Sequence, residues 1–372
     1  LKLHLTYQRR SQTWPYPATA LPHTSGYQPS NVSPRFTSSA QFPSPMTPSR
    51  CCTLHFAVAA TALVVTAFAQ PATRDTAALK SALDRDLRAA VERKDTPGVV
   101  VIAADRRGVL HEAAFGAAEG GAGRAMTTDA IFRIASMTKA VTSVALMQFV
   151  EQKKLSLDDD AGKYLPELAN PQVFESFDAA TGEYKLRPAK SPITIRHILT
   201  HTSGLGYPFT SATLARFRPR AGETYPAGPL LFDPGTDWVY GTSTDMVGRI
   251  VEKLSGQNLE EYFQQKILGP LKMGDTSYNV PAAKLPRLVN NWRRDETGAL
   301  VENPRNTPNT ATRFNGGGGL YSTARDYVRF LQMLLNRGEL EGARILAPET
   351  VALMEQNHVG AVGVRASKST QP

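Results

Sequence analysis

Cysteine is scarce: the chain holds two, Cys51 and Cys52, and both precede an apolar run from Phe56 to Ala69. Once that run is removed as an export signal, no thiol nucleophile, disulfide or cysteine metal ligand remains. Long hydrophobic stretches are lacking as well. The Phe56–Ala69 run has 14 residues, short of the roughly 20 that a membrane helix needs, so no stable membrane span is expected after cleavage. Acidic residues are missing from residues 1–45, which are rich in Pro, Ser, Thr and Gln and show no apolar period. Such a stretch cannot bury enough surface to offset its ordering entropy, and it reads as a disordered or untranslated leader. The chain also lacks a concentrated Lys/Arg patch interleaved with aromatics, which leaves a nucleic-acid role without support.

Met46, Arg50, the apolar run and its Ala67-Phe68-Ala69 ending have the layout of a secretory signal over 46–69 with cleavage before Gln70. An uncleaved membrane anchor is the alternative. The expected location is periplasmic or secreted. The remaining domain, 70–372, has 372 − 69 = 303 residues, enough for one large domain or two intimately packed halves. Removing Lys2, Arg9, Arg10, Arg35 and Arg50 lowers the net charge of +9 to 9 − 5 = +4. The basic balance therefore belongs largely to the leader.

What is present centres on Phe132-Arg133-Ile134-Ala135-Ser136-Met137-Thr138-Lys139, running into an apolar segment as far as Val150. A serine three residues ahead of a lysine on a helix places hydroxyl and amine one turn apart on one face. The segment that follows is apolar on nearly every side, as in a buried central helix, ending near Lys153-Lys154. Burial would lower the proton affinity of Lys139 and let it take the serine proton, while a helix N-terminus at Ser136 favours an oxyanion. The plain alternative makes Ser136 an N-cap and Lys139 an exposed first-turn residue. By itself S-x-x-K does not decide between them.

Elsewhere, Leu79, Leu83 and Leu87 predict an amphipathic helix over about 74–93. Val99 to Ala104 and Val109 to Phe115 predict an antiparallel hairpin about Asp105-Arg106-Arg107-Gly108. The loop from Gly116 to Gly123 lacks the G-K-[ST] ending of a phosphate cradle. Asp158, Asp159 and Asp160 read as a solvated turn and cap. A short helix, Ile195 to Thr200, closes at His201. His197 and His201 have i, i+4 spacing, but Ile198 stands where a zinc site of that type needs Glu, so no metal is assigned and His201 reads as held by turn backbone. Tyr240 precedes a helix over about 246–254, and its own pattern favours core packing. Asn315 to Thr323 contains four glycines, Gly316 to Gly319, forming a turn or admitting a ligand near the backbone. Thr323 and Asp326 stand at capping-box spacing ahead of a helix whose apolar stripe is Tyr327, Phe330, Leu331 and Leu334.

S-M-T-K, L-T-H-T-S-G-L at 199–205, P-G-T-x-W-x-Y at 234–240, S-G-Q at 255–257 and G-G-G-L-Y-S-T at 317–323 occur in one order. In that order the chain, over about 76–372, resembles the serine β-lactamase-like family: class C β-lactamases, D-alanyl-D-alanine carboxypeptidases and family VIII carboxylesterases. The resemblance implies an α+β fold with an antiparallel sheet flanked by helices plus an all-helical half. It implies that Ser136 is the acylated nucleophile, that Lys139 activates it, and that Tyr240 shares the proton transfer, with no cofactor. Which of Lys139 and Tyr240 is the base stays open. Thr242 and Gly318 are the implied substrate-binding positions.

Two departures matter. Thr242 stands where the family carries Asn, which favours esters over peptides and β-lactams. His358-Val359-Gly360 has the letters of the family's third element but follows its helix too closely to be that strand. The expected reading is therefore a C-terminally truncated chain lacking the last strands and their oxyanion N–H. The implied function is hydrolysis of a small ester, amide or peptide through an acyl-enzyme. Carboxylesterase action ranks first, D-alanyl peptide hydrolysis second and β-lactam hydrolysis third. A non-catalytic penicillin-recognising or peptidoglycan-binding module, and acyl transfer to an acceptor other than water, are the competing readings.

Overall fold

The computed structural model describes residues 76–120, 123–303 and 310–364. The expected leader over 1–45, the expected export signal over 46–69 and the last eight residues lie outside them. Helix α1 runs Thr76–Glu92, as its leucine spacing predicts. It lies on the hairpin of β1 (Gly98–Ala104) and β2 (Val109–Gly116), with the Arg88 guanidinium 4.8 Å from the Phe115 ring. No residue of α1 is fully buried, and Leu79 is exposed. The hairpin is antiparallel, with its register pinned by an Asp105 side chain that accepts the Arg107 and Gly108 N–H groups.

A two-residue strand, β3 (Phe132–Arg133), leads through a 3-10 turn at Ala135–Met137 into α2, Thr138–Glu151. Val141, Val144, Ala145, Leu146, Met147 and Phe149 of α2 are buried, as a helix apolar on all sides must be. Helix α2 stops at Glu151, just ahead of the two lysines, where Lys153 adopts a left-handed φ of 56°. The three aspartates then divide their work: Asp158 pairs with Arg196, Asp159 accepts from Ser156 N–H and the Tyr164 hydroxyl, and Asp160 caps a 3-10 turn.

An antiparallel pair of β4 (Gln172–Phe177) and β5 (Tyr184–Pro188) precedes α3 (Ile195–Thr200), which carries a Thr194–His197 capping box and ends at left-handed His201. After α4 (Ala212–Arg216) comes α5, Ser243–Ser255, closed by Gly256 at φ 71°. It starts three residues before the predicted Met246. Its polar first residue Ser243 is buried and hydrogen-bonded to Ser203 at 2.8 Å, so the apolar period understates the helix. Then follow α6 (Leu259–Phe263), a pair of β6 (Asn291–Arg294) and β7 (Leu300–Asn303), and β8 (Tyr321–Ser322), which pairs with β3.

Helix α7 spans Ala324–Leu335, with Phe330 fully buried. Thr323 caps it by accepting the Asp326 N–H, but the capping box is half made. The Asp326 carboxylate instead accepts Asp275 N–H at 2.7 Å and the Thr276 hydroxyl at 2.9 Å. A pair of β9 (Glu339–Leu340) and β10 (Ala343–Arg344) and helix α8 (Pro348–Met354) complete the described chain.

The class is α+β, as the resemblance implies. Its antiparallel strands form, among the described residues, five two-stranded pairs. One reason is local: β3 and β8 are only two residues long, too short to join neighbouring pairs. Helix α7 covers the turn of the β1–β2 hairpin, with Gln332 donating to the Asp105 carbonyl and Asn336 to that of Arg106. The main core joins α2, α3, α5, α6 and α7 through Val144, Leu146, Ile195, Ile198, Ile250, Phe263 and Phe330. Each such side chain, fully buried, contributes about 1.5–3 kcal/mol relative to exposure. That rigid core carries the α2 N-terminus outward to the site.

Candidate active site

Ser136 sits on the 3-10 turn ahead of α2, and the residue before it, Ala135, is held at φ 46°. A left-handed alanine is strained, and such strain persists only where surrounding bonds enforce it. Here the Thr138 hydroxyl donates to Ala135 O at 2.7 Å and accepts Leu320 N–H at 3.2 Å, while Ile134 N–H donates to Leu320 O at 3.0 Å. The clamp presents Ser136 outward at the positive end of α2. Ser136 is exposed to solvent and Lys139 is half-buried, so the expected sealing of the lysine from water is only partial.

Ser136, Lys139 and Tyr240 are brought together. Lys139 Nζ donates to Ser136 Oγ at 3.2 Å, and the Tyr240 hydroxyl donates to the same oxygen at 2.6 Å. Tyr240 comes from the segment before α5, so the core reading that its local pattern favours is corrected: it is half-buried and faces the serine. Lys139 Nζ also donates to Gly317 O at 2.6 Å and to the Tyr207 hydroxyl at 3.5 Å, and lies 4.7 Å from the centroid of the Tyr240 ring. Three acceptors surround it, matching the three N–H groups of an ammonium.

Glycine is required next to Tyr240, since a Cβ on Gly241 would lie 1.9 Å from Leu205 O. Its neighbour Thr242 occupies the N-cap position of α5 but makes no side-chain cap bond, so its hydroxyl is uncommitted among the described residues. Gly317 rather than Gly318 contacts the side chains of the site, its N–H donating to Asp245 at 2.7 Å and its carbonyl accepting Lys139, while the Gly318 N–H turns to Asn315 O. A Cβ on Gly318 would meet only Ala135, at 3.5 Å, an ordinary contact, so close backbone approach is not forced there.

Sequence reasoning missed Tyr207, two residues beyond L-T-H-T-S-G-L. Its ring centroid is 5.6 Å from that of Tyr240 and 4.6 Å from that of Phe209, on which it stacks. Burial, then the charges of Asp245 and Tyr240, raises the Tyr207 hydroxyl pKa, keeping it protonated. Asp245 was missed too. A signal existed for both, an aromatic directly after one motif and an acid in the first turn after another. Only the fold shows where they point.

His201 is held by backbone as expected, its N–H donating to His197 O and its carbonyl accepting Val239 N–H at 3.0 Å. Its ring also faces Tyr240, with centroids 5.0 Å apart. Burial, then the Lys139 charge, pushes its pKa down to about 4, so it is neutral at pH 7. The other histidine of the i, i+4 pair, His197, accepts Thr194 N–H through Nδ1 at 3.2 Å and serves the cap. His358 lies on no strand: it meets Arg196 through Nδ1 and Leu353 O through Nε2, in keeping with a chance motif match.

Comparison with known proteins shows which sequences and folds the chain is similar to. The Beta-lactamase family model matches residues 83–366. Acyltransferase mokF of Monascus pilosus is 33% identical over 296 residues, covering 74% of this chain and 70% of that protein. Lovastatin esterase of Penicillium rubens is 34% identical over 297 residues, covering 75% and 73%. The unliganded structure of simvastatin synthase from Aspergillus terreus superposes with a TM-score of 0.65 at 31% identity, covering 76% of this chain and 72% of that one.

Proposed function

The chain belongs to the β-lactamase family, and from that premise we propose that it is a serine enzyme that acylates Ser136 with the acyl group of a small, neutral ester. The observation that carries the proposal is the Tyr240 hydroxyl 2.6 Å from Ser136 Oγ, with Lys139 Nζ 3.2 Å from the same atom. Lys139 Nζ donates to three acceptors, so we assign Tyr240 as the base and Lys139 as the donor that supports it. In the reactive form Tyr240 has released its proton to solvent; Ser136 Oγ then bonds to the carbonyl carbon as its own proton passes to the Tyr240 oxygen. Collapse then breaks the ester C–O bond, and the same proton leaves with the alcohol. Water or a second alcohol next attacks the acyl-enzyme, giving up its proton to Tyr240, and the released Ser136 oxygen takes it back.

Esters rank ahead of D-alanyl peptides and β-lactams because the surface beside Lys139 is apolar and aromatic. Phe209 is 43% exposed on top of Tyr207, and Met137, next to Ser136, is 36% exposed. Exposed apolar surface of this kind suits an uncharged, apolar group. Thr242 in place of an amide side chain fits the same choice. The relatives named as acyltransferases favour a second reading, in which an alcohol rather than water accepts the acyl group. The signal-like layout of the sequence over 46–69 supports a reading of export to the periplasm or beyond.

Incubation with a fluorophosphonate, followed by intact mass, adds one adduct to the wild-type chain and none to Ser136→Ala. Turnover of a p-nitrophenyl ester, nitrocefin and a D-Ala-D-Ala peptide then ranks the substrates, and added alcohol yields a new ester where transfer operates. A wild-type chain left unlabelled refutes the proposal.

A further inference from the structure

His201 carries two unfavourable features at one position. It closes α3 at φ 60°, in the left-handed region where glycine or asparagine is least strained. Its ring Nδ1 is buried and has no hydrogen-bond partner among the described residues, and a buried polar atom without a partner is destabilising. The backbone role explains neither, because the two main-chain bonds to His197 and Val239 are available to any residue.

The imidazole is what the position adds. Its ring lies 5.0 Å from that of Tyr240 at 45°, and Trp238 backs it edge-on at 6.1 Å. The phenol ring is also bounded by Lys139 Nζ at 4.7 Å and by the Tyr207 ring at 5.6 Å. Through Val239 N–H, His201 also holds the backbone one residue before Tyr240. Its neutrality at pH 7 lets it lie near Lys139 without repelling the ammonium.

We infer that His201 is a positioning residue for the acylation step: its imidazole seats the Tyr240 ring so that the hydroxyl stays 2.6 Å from Ser136 Oγ. Strain and an orphaned nitrogen are retained there because they fix a reacting group. The inference rests on the acyl-enzyme function proposed above.

The test is a double-mutant cycle on the full chain with His201→Asn and Tyr240→Phe, read by fluorophosphonate labelling rate and by kcat and KM on a p-nitrophenyl ester. Asparagine keeps the left-handed preference and removes the ring. His201→Asn should lose about tenfold to a hundredfold in labelling rate and kcat, hold KM within about threefold, and melt no lower than wild type. Added to Tyr240→Phe, where the hydroxyl it orients is gone, the same substitution should change the rate by less than about twofold. A wild-type labelling rate in His201→Asn overturns the inference, as does a full, additive loss in the Tyr240→Phe background. Should His201→Asn fail to fold, His201→Gln takes its place in the cycle. An unlabelled wild-type chain sinks the function and the inference together, an outcome distinct from a labelled wild type beside an indifferent His201→Asn.

Discussion

Replacing Tyr240 by Phe removes one oxygen and leaves the ring in place. The lost group is the hydroxyl that donates to Ser136 Oγ at 2.6 Å, while the ring contacts to His201 and Tyr207 remain. A positioned general base contributes about 10²- to 10⁴-fold, which corresponds to about 2.7–5.4 kcal/mol of barrier at 1.36 kcal/mol per decade. The same deletion should cost stability about 0.5–1.5 kcal/mol at most, the net worth of an ordinary hydrogen bond. Lys139 stays anchored on Gly317 O at 2.6 Å, so the serine keeps its cation and loses only its proton acceptor. The expected outcome is a fall of at least about a hundredfold in kcat/KM on a p-nitrophenyl ester, with a parallel fall in fluorophosphonate labelling and a melting curve close to wild type. Labelling and turnover within about threefold of wild type would refute the assignment of Tyr240 and point to Lys139 as the base.

Gly241→Ala should remove activity and lower the melting temperature together, because the new Cβ would stand 1.9 Å from Leu205 O and push the Tyr240 segment out of register; crystallography or labelling of the variant checks this. Phe330→Ala should destabilise by about 3–5 kcal/mol in chemical denaturation, since the ring is fully buried in the main core. Arg287, more than burial opposes it, holds the Asp275 pKa down at about 2. A depressed carboxylate contributes stability above its unfolded pKa near 4 and loses it as pH falls through 2. Arg287→Ala should therefore cost about 1–2 kcal/mol at pH 7, after allowance for solvent screening, and the gap to wild type should close between pH 4 and 2. A gap independent of pH in urea melts would show that the pair is not the cause.

Where the residues that decide an element are neighbours in the chain, the sequence was legible. Helix α1, the β1–β2 hairpin with its Asp105 turn, the cap and stop of α3 and the Gly256 stop of α5 follow from short-range hydrogen bonding and spacing. The β4–β5 and β6–β7 pairs were not read, although Asp178 to Gly182 and Asp295 to Gly298 are turn-like. Exposed strands such as Asn-Trp-Arg-Arg at 291–294 carry too little apolar alternation to stand out.

The site divides in the same way. Ser136 and Lys139 were fixed relative to each other by helical spacing alone, and Tyr240 was reached only through the order of motifs, since nothing local marks it as more than an aromatic. Tyr207, Asp245, the Gly317 carbonyl and the ring of His201 were settled by folding: segments up to 178 residues apart meet at Lys139. A backbone carbonyl has no side-chain signature, and an aromatic reads alike whether it packs in a core or faces a serine. The chain specifies groups and local geometry through short-range bonds, and only packing across distant segments decides which groups share a reacting atom.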